Sequence, residues 1–174
     1  RICTSAPTAI IDAYARWVAD LTAQGWDAYL ATLMFHDLPG SMPAQIAQMH
    51  HAVTGVYSRL ATRVVRKPRS PIWAPLLPRA VFAPDLPVPK RRTTPVHAPA
   101  ANDGLHLHGV LLANRFGRLK EPLDEHFEQK QATYLTGRLR TIDLRRIEGS
   151  PDYVINYALK GLKRQCFSTD DLLV

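Results

Sequence analysis

The chain has 174 residues, 46% of them apolar and 21% charged, which is globular composition with enough length for a sizeable core. No apolar run approaches the ~20 residues of a bilayer-spanning helix, and Cys3 and Cys166 stand alone, which excludes a CxxC-based zinc cluster. The net charge of +7 and pI of about 9.7 favour an anionic partner, with nucleic acid the commonest.

Helical spacing of Ile11, Tyr14, Ala15, Val18 and Leu21 predicts a helix from Thr8 to Gln24, ended by Gly25. Tyr29 to His36 reads as a strand, followed by a turn at Asp37-Leu38-Pro39-Gly40. Ser41 then caps a long helix with Pro43 in its first turn and an apolar stripe from Ile46 through Val64. From Pro68 to Pro99 prolines are dense, which excludes an α-helix and limits any strand to a short or edge position. Ala80-Val81-Phe82 and Thr93 to Ala98 are the candidate strands there. Asn102-Asp103-Gly104 is a turn signal and Leu105 to Leu112 the next strand. A helix is expected over about Pro122 to Lys130, a strand over Arg138 to Ile147, and a last helix opened by Ser150-Pro151-Asp152. The whole reads as one domain, residues 1–174, with a Pro-rich loop region at about 68–99.

Two strings carry chemistry. In the strand containing His106-Leu107-His108, alternate side chains share a face, so the two imidazoles point the same way and can converge on a divalent metal. A third ligand is wanted. His97 qualifies if a hairpin pairs it with His106; His36, at the end of the first strand, is the rival. His50, His51 and Asp103 read as surface or turn residues.

The second string is Tyr153-Val154-Ile155-Asn156-Tyr157-Ala158-Leu159-Lys160. On a helical wheel with Tyr153 at 0°, Tyr157 falls at about 40°, Lys160 at about −20° and Arg164 at about 20°. Val154, Ile155, Ala158, Leu159 and Leu162 occupy the opposite half. Tyrosines sharing a face with cations, away from the core, suit attack on a phosphodiester, with Lys160 orienting the phosphate. Two basic sets flank these strings. One contains Arg63, Arg66, Lys67, Arg69 and Arg79, leading into Lys90, Arg91 and Arg92. The other contains Arg138, Arg140, Arg145 and Arg146, followed by Lys163 and Arg164; within it Arg140, Arg145, Arg146, Lys163 and Arg164 are candidate nucleic-acid contacts.

HLHGVLL followed by YVINYALK resembles the HUH endonucleases, in the Rep order of histidine strand before tyrosine helix. The Tyr-x-x-x-Tyr-x-x-Lys spacing resembles their two-tyrosine branch, which includes phage gene A-type replication initiators and related transposases. Tyr29 to Phe35 resembles the family's first motif, a hydrophobic strand containing Thr. The resemblance implies an α+β fold with an antiparallel sheet of about five strands and helices packed on it, and Mg²⁺ or Mn²⁺ held by His106 and His108. It also implies Tyr153 and Tyr157 as nucleophiles and Lys160 as the phosphate-orienting residue. The implied activity is nicking of single-stranded DNA, or a DNA hairpin at an origin or element end, through a 5′-phosphotyrosine that starts rolling-circle replication. With no Walker motif in the chain, unwinding would fall to a host helicase. The implied setting is the cytoplasm of a bacterial host, on a phage, plasmid or other mobile element. The alternatives are an HUH transposase or relaxase and a non-catalytic nucleic-acid-binding domain. A cupin-like metal enzyme is disfavoured because the first acid after His108 is Glu121.

Overall fold

In the computed structural model, residues 6–86, 101–164 and 166–174 are described. The fold is α+β. Helix α1 (Ala6–Ala23) precedes strand β1 (Trp26–Phe35), and helix α2 (Met42–Val64) comes next. A 3₁₀ turn over Pro71–Leu76 leads into β2 (Arg79–Asp85). Then come β3 (His106–Asn114), α3 (Leu123–Tyr134), β4 (Leu139–Arg146), α4 (Pro151–Ala158) and the single turn α5 (Lys160–Lys163). Among the described residues the sheet has four strands, all antiparallel, in the order β2-β3-β1-β4, in keeping with the α+β fold and antiparallel sheet of about five strands expected. The strand expected at Thr93 to Ala98 lies outside the described residues.

Period-two alternation along β1 sorts side chains to two cores. Tyr29, Ala31, Leu33 and Phe35 face α2 and α3, packing with Met49, Val53, Leu60 and Phe127. Ala28 faces the other way, with Val81, Ala83, Val110 and Leu112, toward Ile11, Ala15 and Val18 of α1 and Ile155 and Leu159 of α4. Both faces of β3 are therefore covered, which is why Gly109 to Leu112 reads as an unbroken apolar run. Each fully buried Leu or Val contributes about 1.5–3 kcal/mol.

β2 is longer than Ala80–Phe82 and contains Pro84. Phe82 N–H donates outward to Leu173 O at 2.8 Å, and Leu173 N–H returns to Phe82 O at 3.0 Å. Pro84 is two residues on, so its ring nitrogen also faces the outer edge and costs no bond to β3. The last helix is interrupted: Leu159, with φ −100° and ψ 19°, separates α4 from α5.

Candidate metal centre and tyrosine helix

β2 and β3 bring the first cluster together. Their register sets Asp85 opposite His106 and Ala83 opposite His108, so Asp85 shares the face of both imidazoles. Position 85 therefore holds the cross-strand place that hairpin reasoning assigns to His97, a residue outside the described ones. His36 is exposed beyond the end of β1, its backbone N–H bonded to Arg138 O, and does not join the group.

Asp85, His106 and His108 could together hold a metal ion, one ligand atom from each lying within 4.8 Å of the others. Asp85 Oδ2 is 3.4 Å from His106 Nε2 and 3.9 Å from His108 Nε2. For a cation about 2.1 Å from each donor, ligands at right angles stand about 3.0 Å apart and opposed ligands about 4.2 Å, a range that includes both separations. The donors are also oriented. Gly104 O accepts from His106 Nδ1 at 2.7 Å, which leaves the lone pair on Nε2 facing the carboxylate. Thr32 Oγ1 sits 3.0 Å from His108 Nδ1 and holds that ring by its outer nitrogen. Burial, with the nearby His106 and Lys160, lowers the His108 pKa to about 4, which keeps the ring a neutral donor at neutral pH.

Asp85 is 1% exposed, and a carboxylate buried that far must be met by positive charge or hydrogen-bond donors. Among the described residues the nearest positive charge is Lys160 Nζ, 2.8 Å from Oδ2, and a divalent ion would supply the same charge to all three donors.

The loop before β3 supports this geometry. Asn102 and Asp103 both adopt left-handed conformations, with φ of 58° and 52°. Asn102 holds its turn by accepting from Leu38 N–H at 2.6 Å and donating to His36 O at 2.9 Å. The turn presents Gly104 O to His106.

The second cluster arrives on α4 and α5. Ile155, Ala158, Leu159 and Leu162 are buried, as the wheel requires, while Tyr153 is 75% and Tyr157 41% exposed. The Tyr157 ring lies 5.3 Å from the His108 ring centroid to centroid, and Lys160 Nζ lies 4.4 Å from the Tyr157 ring centroid. Tyr153 is one helical turn back, about 6 Å along the axis. Gly161 permits this docking, because a Cβ there would stand 2.5 Å from Pro84 O. Histidine pair, Tyr157 and Lys160 thus form one cluster, with Asp85 at its base.

The expected basic contacts divide. Arg145 is opposite Leu30, on the face of the site, where it is exposed and its Nε donates to Asp143 Oδ2 at 3.1 Å. Arg146 is opposite Tyr29, on the other face, and is bound to Asp27 at 2.6 Å. Arg140 is exposed at the β4 irregularity, and Lys163 and Arg164 are exposed at the end of α5.

Asp85 escapes sequence reasoning because proline density hides the end of β2. The signal that marks it is the alternation Val81, Ala83, Asp85, continued through Pro84. A second buried imidazole, His126, is saturated by Glu121 at 2.6 Å and Tyr134 at 2.8 Å and serves α3. An apolar cavity of about 440 Å³ between α2 and the sheet lies on the face away from the site. No family model matches the chain, and no curated protein or solved structure shows significant similarity to it. Among the described residues no helix is long and apolar enough to cross a membrane.

Proposed function

We propose that this domain is a metal-dependent nuclease of HUH type that nicks and rejoins single-stranded DNA through tyrosine, as in rolling-circle replication initiators of the two-tyrosine branch. The observation that carries the reading is the packing of Tyr157 on His108 with Lys160 reaching Asp85: two strings fifty residues apart meet in one cluster. Two imidazoles and a carboxylate suit Mn²⁺ better than Mg²⁺. A bound divalent ion would act as a Lewis acid on a phosphoryl oxygen.

The chain's residues supply the rest. Thr32 and Gly104 hold the imidazoles in register. DNA lies on the site's face of the sheet beside Arg145, with Lys163 and Arg164 at its margin. The Tyr157 phenol oxygen loses its proton and attacks phosphorus. The bond to the 3′ oxygen breaks, the 3′ oxygen takes up a proton, and the 5′ phosphate stays on tyrosine. Lys160 neutralises charge growing on the phosphate. Tyr153, one turn away, is placed to take the next strand.

The test is a labelled single-stranded oligonucleotide library with Mn²⁺, read as protein–DNA adducts on denaturing gels. The wild type gives adducts, Tyr157→Phe loses most of them and the Tyr153→Phe, Tyr157→Phe double variant all. An adduct persisting in the double variant would sink the assignment; metal-independent binding without cleavage would favour a non-catalytic nucleic-acid binder.

A further inference from the structure

The opposite end of the sheet carries a second surface. β3 runs from the metal group at His106 and His108 to Asn114, and six residues of strand from His108 span about 20 Å. Beyond Asn114 the chain turns back against the end of α2. Arg118 N–H donates to Val64 O at 2.8 Å, and Gly117 packs so closely on Val64 that a Cβ there would lie 2.9 Å from Val64 Cγ1. This contact joins the β3–α3 loop to the segment after α2 as one surface.

That surface is cationic and unneutralised. Arg66, Lys67 and Arg69 come from one segment, Arg118 and Lys120 from the other, and all five are exposed. None pairs with a carboxylate among the described residues. Two of the acids at this end are engaged elsewhere, Asp27 with Arg146 at 2.6 Å and Glu121 with His126 at 2.6 Å, and Asp124 and Glu125 in the first turn of α3 pair with none of the five. The same two segments carry apolar side chains that the core does not claim, Ile72 at 81% and Trp73 at 37% exposure just after Arg69, and Phe116 at 82% just before Arg118. Five like charges gathered without counter-charge repel one another, and a polyanion removes that cost.

We propose that this end of the domain is a second DNA-binding surface, which grips the phosphate backbone of a duplex about 20 Å from the metal group, or roughly six base pairs at ~3.4 Å per pair. Arginine forks bind phosphate oxygens bidentately, and an aromatic ring among them rests on sugar or an end base. No base edge is read, so the grip is independent of sequence. The surface complements the proposed nicking site: one end handles a single strand, the other holds the adjoining duplex. The grip itself requires no cleavage and no metal.

The experiment is fluorescence anisotropy with a labelled 20-base-pair duplex of arbitrary sequence, in EDTA, across a salt series. Each phosphate neutralised contributes about −0.9 to the slope of log K against log salt, so removing all five cations should flatten the slope by about 4.5 and weaken binding at least ~30-fold at low salt. The Arg118→Ala, Lys120→Ala pair should flatten it by about 2. Unchanged melting curves check that both variants fold. Wild-type binding in EDTA with the full slope retained by both variants overturns the proposal. So does a wild type that ignores duplex but binds vesicles of anionic lipid. The duplex readout in EDTA uses neither metal nor cleavage, so failure of the nicking reading leaves the duplex result standing, and the converse holds.

Discussion

Replacing Lys160 with Met tests the electrostatic logic of the centre. Among the described residues Lys160 Nζ is the nearest cation to Asp85 Oδ2, at 2.8 Å, with side-chain exposures of 23% and 1%. Removing one partner of a buried pair costs about 3–5 kcal/mol, because the survivor stays charged and dry. Lys160 keeps some access to water, so the lower figure applies, about 3 kcal/mol. At about 2–4 °C per kcal/mol for a domain of this size, the variant should melt roughly 6–12 °C below wild type in EDTA. A divalent ion held by Asp85, His106 and His108 restores the missing charge and meets no competing ammonium. Mn²⁺ should therefore raise the melting temperature of the variant more than that of wild type, closing most of the gap. Calorimetric titration should show Mn²⁺ binding at least about tenfold tighter in Lys160→Met, which is about 1.4 kcal/mol. The reasoning fails if the variant melts within about 2 °C of wild type in EDTA, or if Mn²⁺ shifts the two equally.

Acid should act through His108. Its pKa is lowered to about 4 in the folded state from the usual 6.5, so the unfolded chain binds the proton first. Stability then falls as pH drops from about 6.5 to about 4, by up to ~3 kcal/mol, and His108 adds no further slope below that. Urea melts of metal-free wild type and His108→Gln should show the shallower slope in the variant. Asn102→Ala removes both bonds that tie the turn to residues 36–38 and leaves alanine in a left-handed conformation, a loss of about 2–4 kcal/mol readable by denaturation. Gly161→Ala forces α5 off Pro84 O, so it should cost about 1–3 kcal/mol and reduce Mn²⁺ affinity, whereas Gly149→Ala, which meets nothing within 4 Å, should change neither.

The parts of the site that depend on a short period are legible in the chain. His106 and His108 share a face because a strand repeats every two residues, and Ile155, Ala158 and Leu159 turn inward because a helix repeats every 3.6. The same period of two separates Arg145 from Arg146. Asp85 is harder to find, because its membership depends on which strand lies beside β3, a non-local pairing that local pattern does not specify. Pro84 also argues against a strand unless the edge position of β2 is known. The break at Leu159 carries no Pro or Gly of its own. Two residues on, Gly161 lies against Pro84 O, a contact between segments far apart in the chain that local pattern does not announce.

The bridge between Phe82 and Leu173 has a consequence for how the molecules behave together. Among the described residues β2 is an outer strand, and between Arg79 and Asp85 it offers Ala80 to Pro84 with no charge to discourage a visitor. A bare rim of that kind is a template on which another copy can add a strand. The two bonds to Leu173 occupy the middle of the rim, and Pro84 blunts the stretch beyond them. Trimming the chain ahead of Leu172 would uncover the strand and invite self-association in concentrated samples. Because the same strand ends in Asp85, aggregation begun at this margin would also disturb the metal-binding group, so a turbid preparation and a weak site would share one origin.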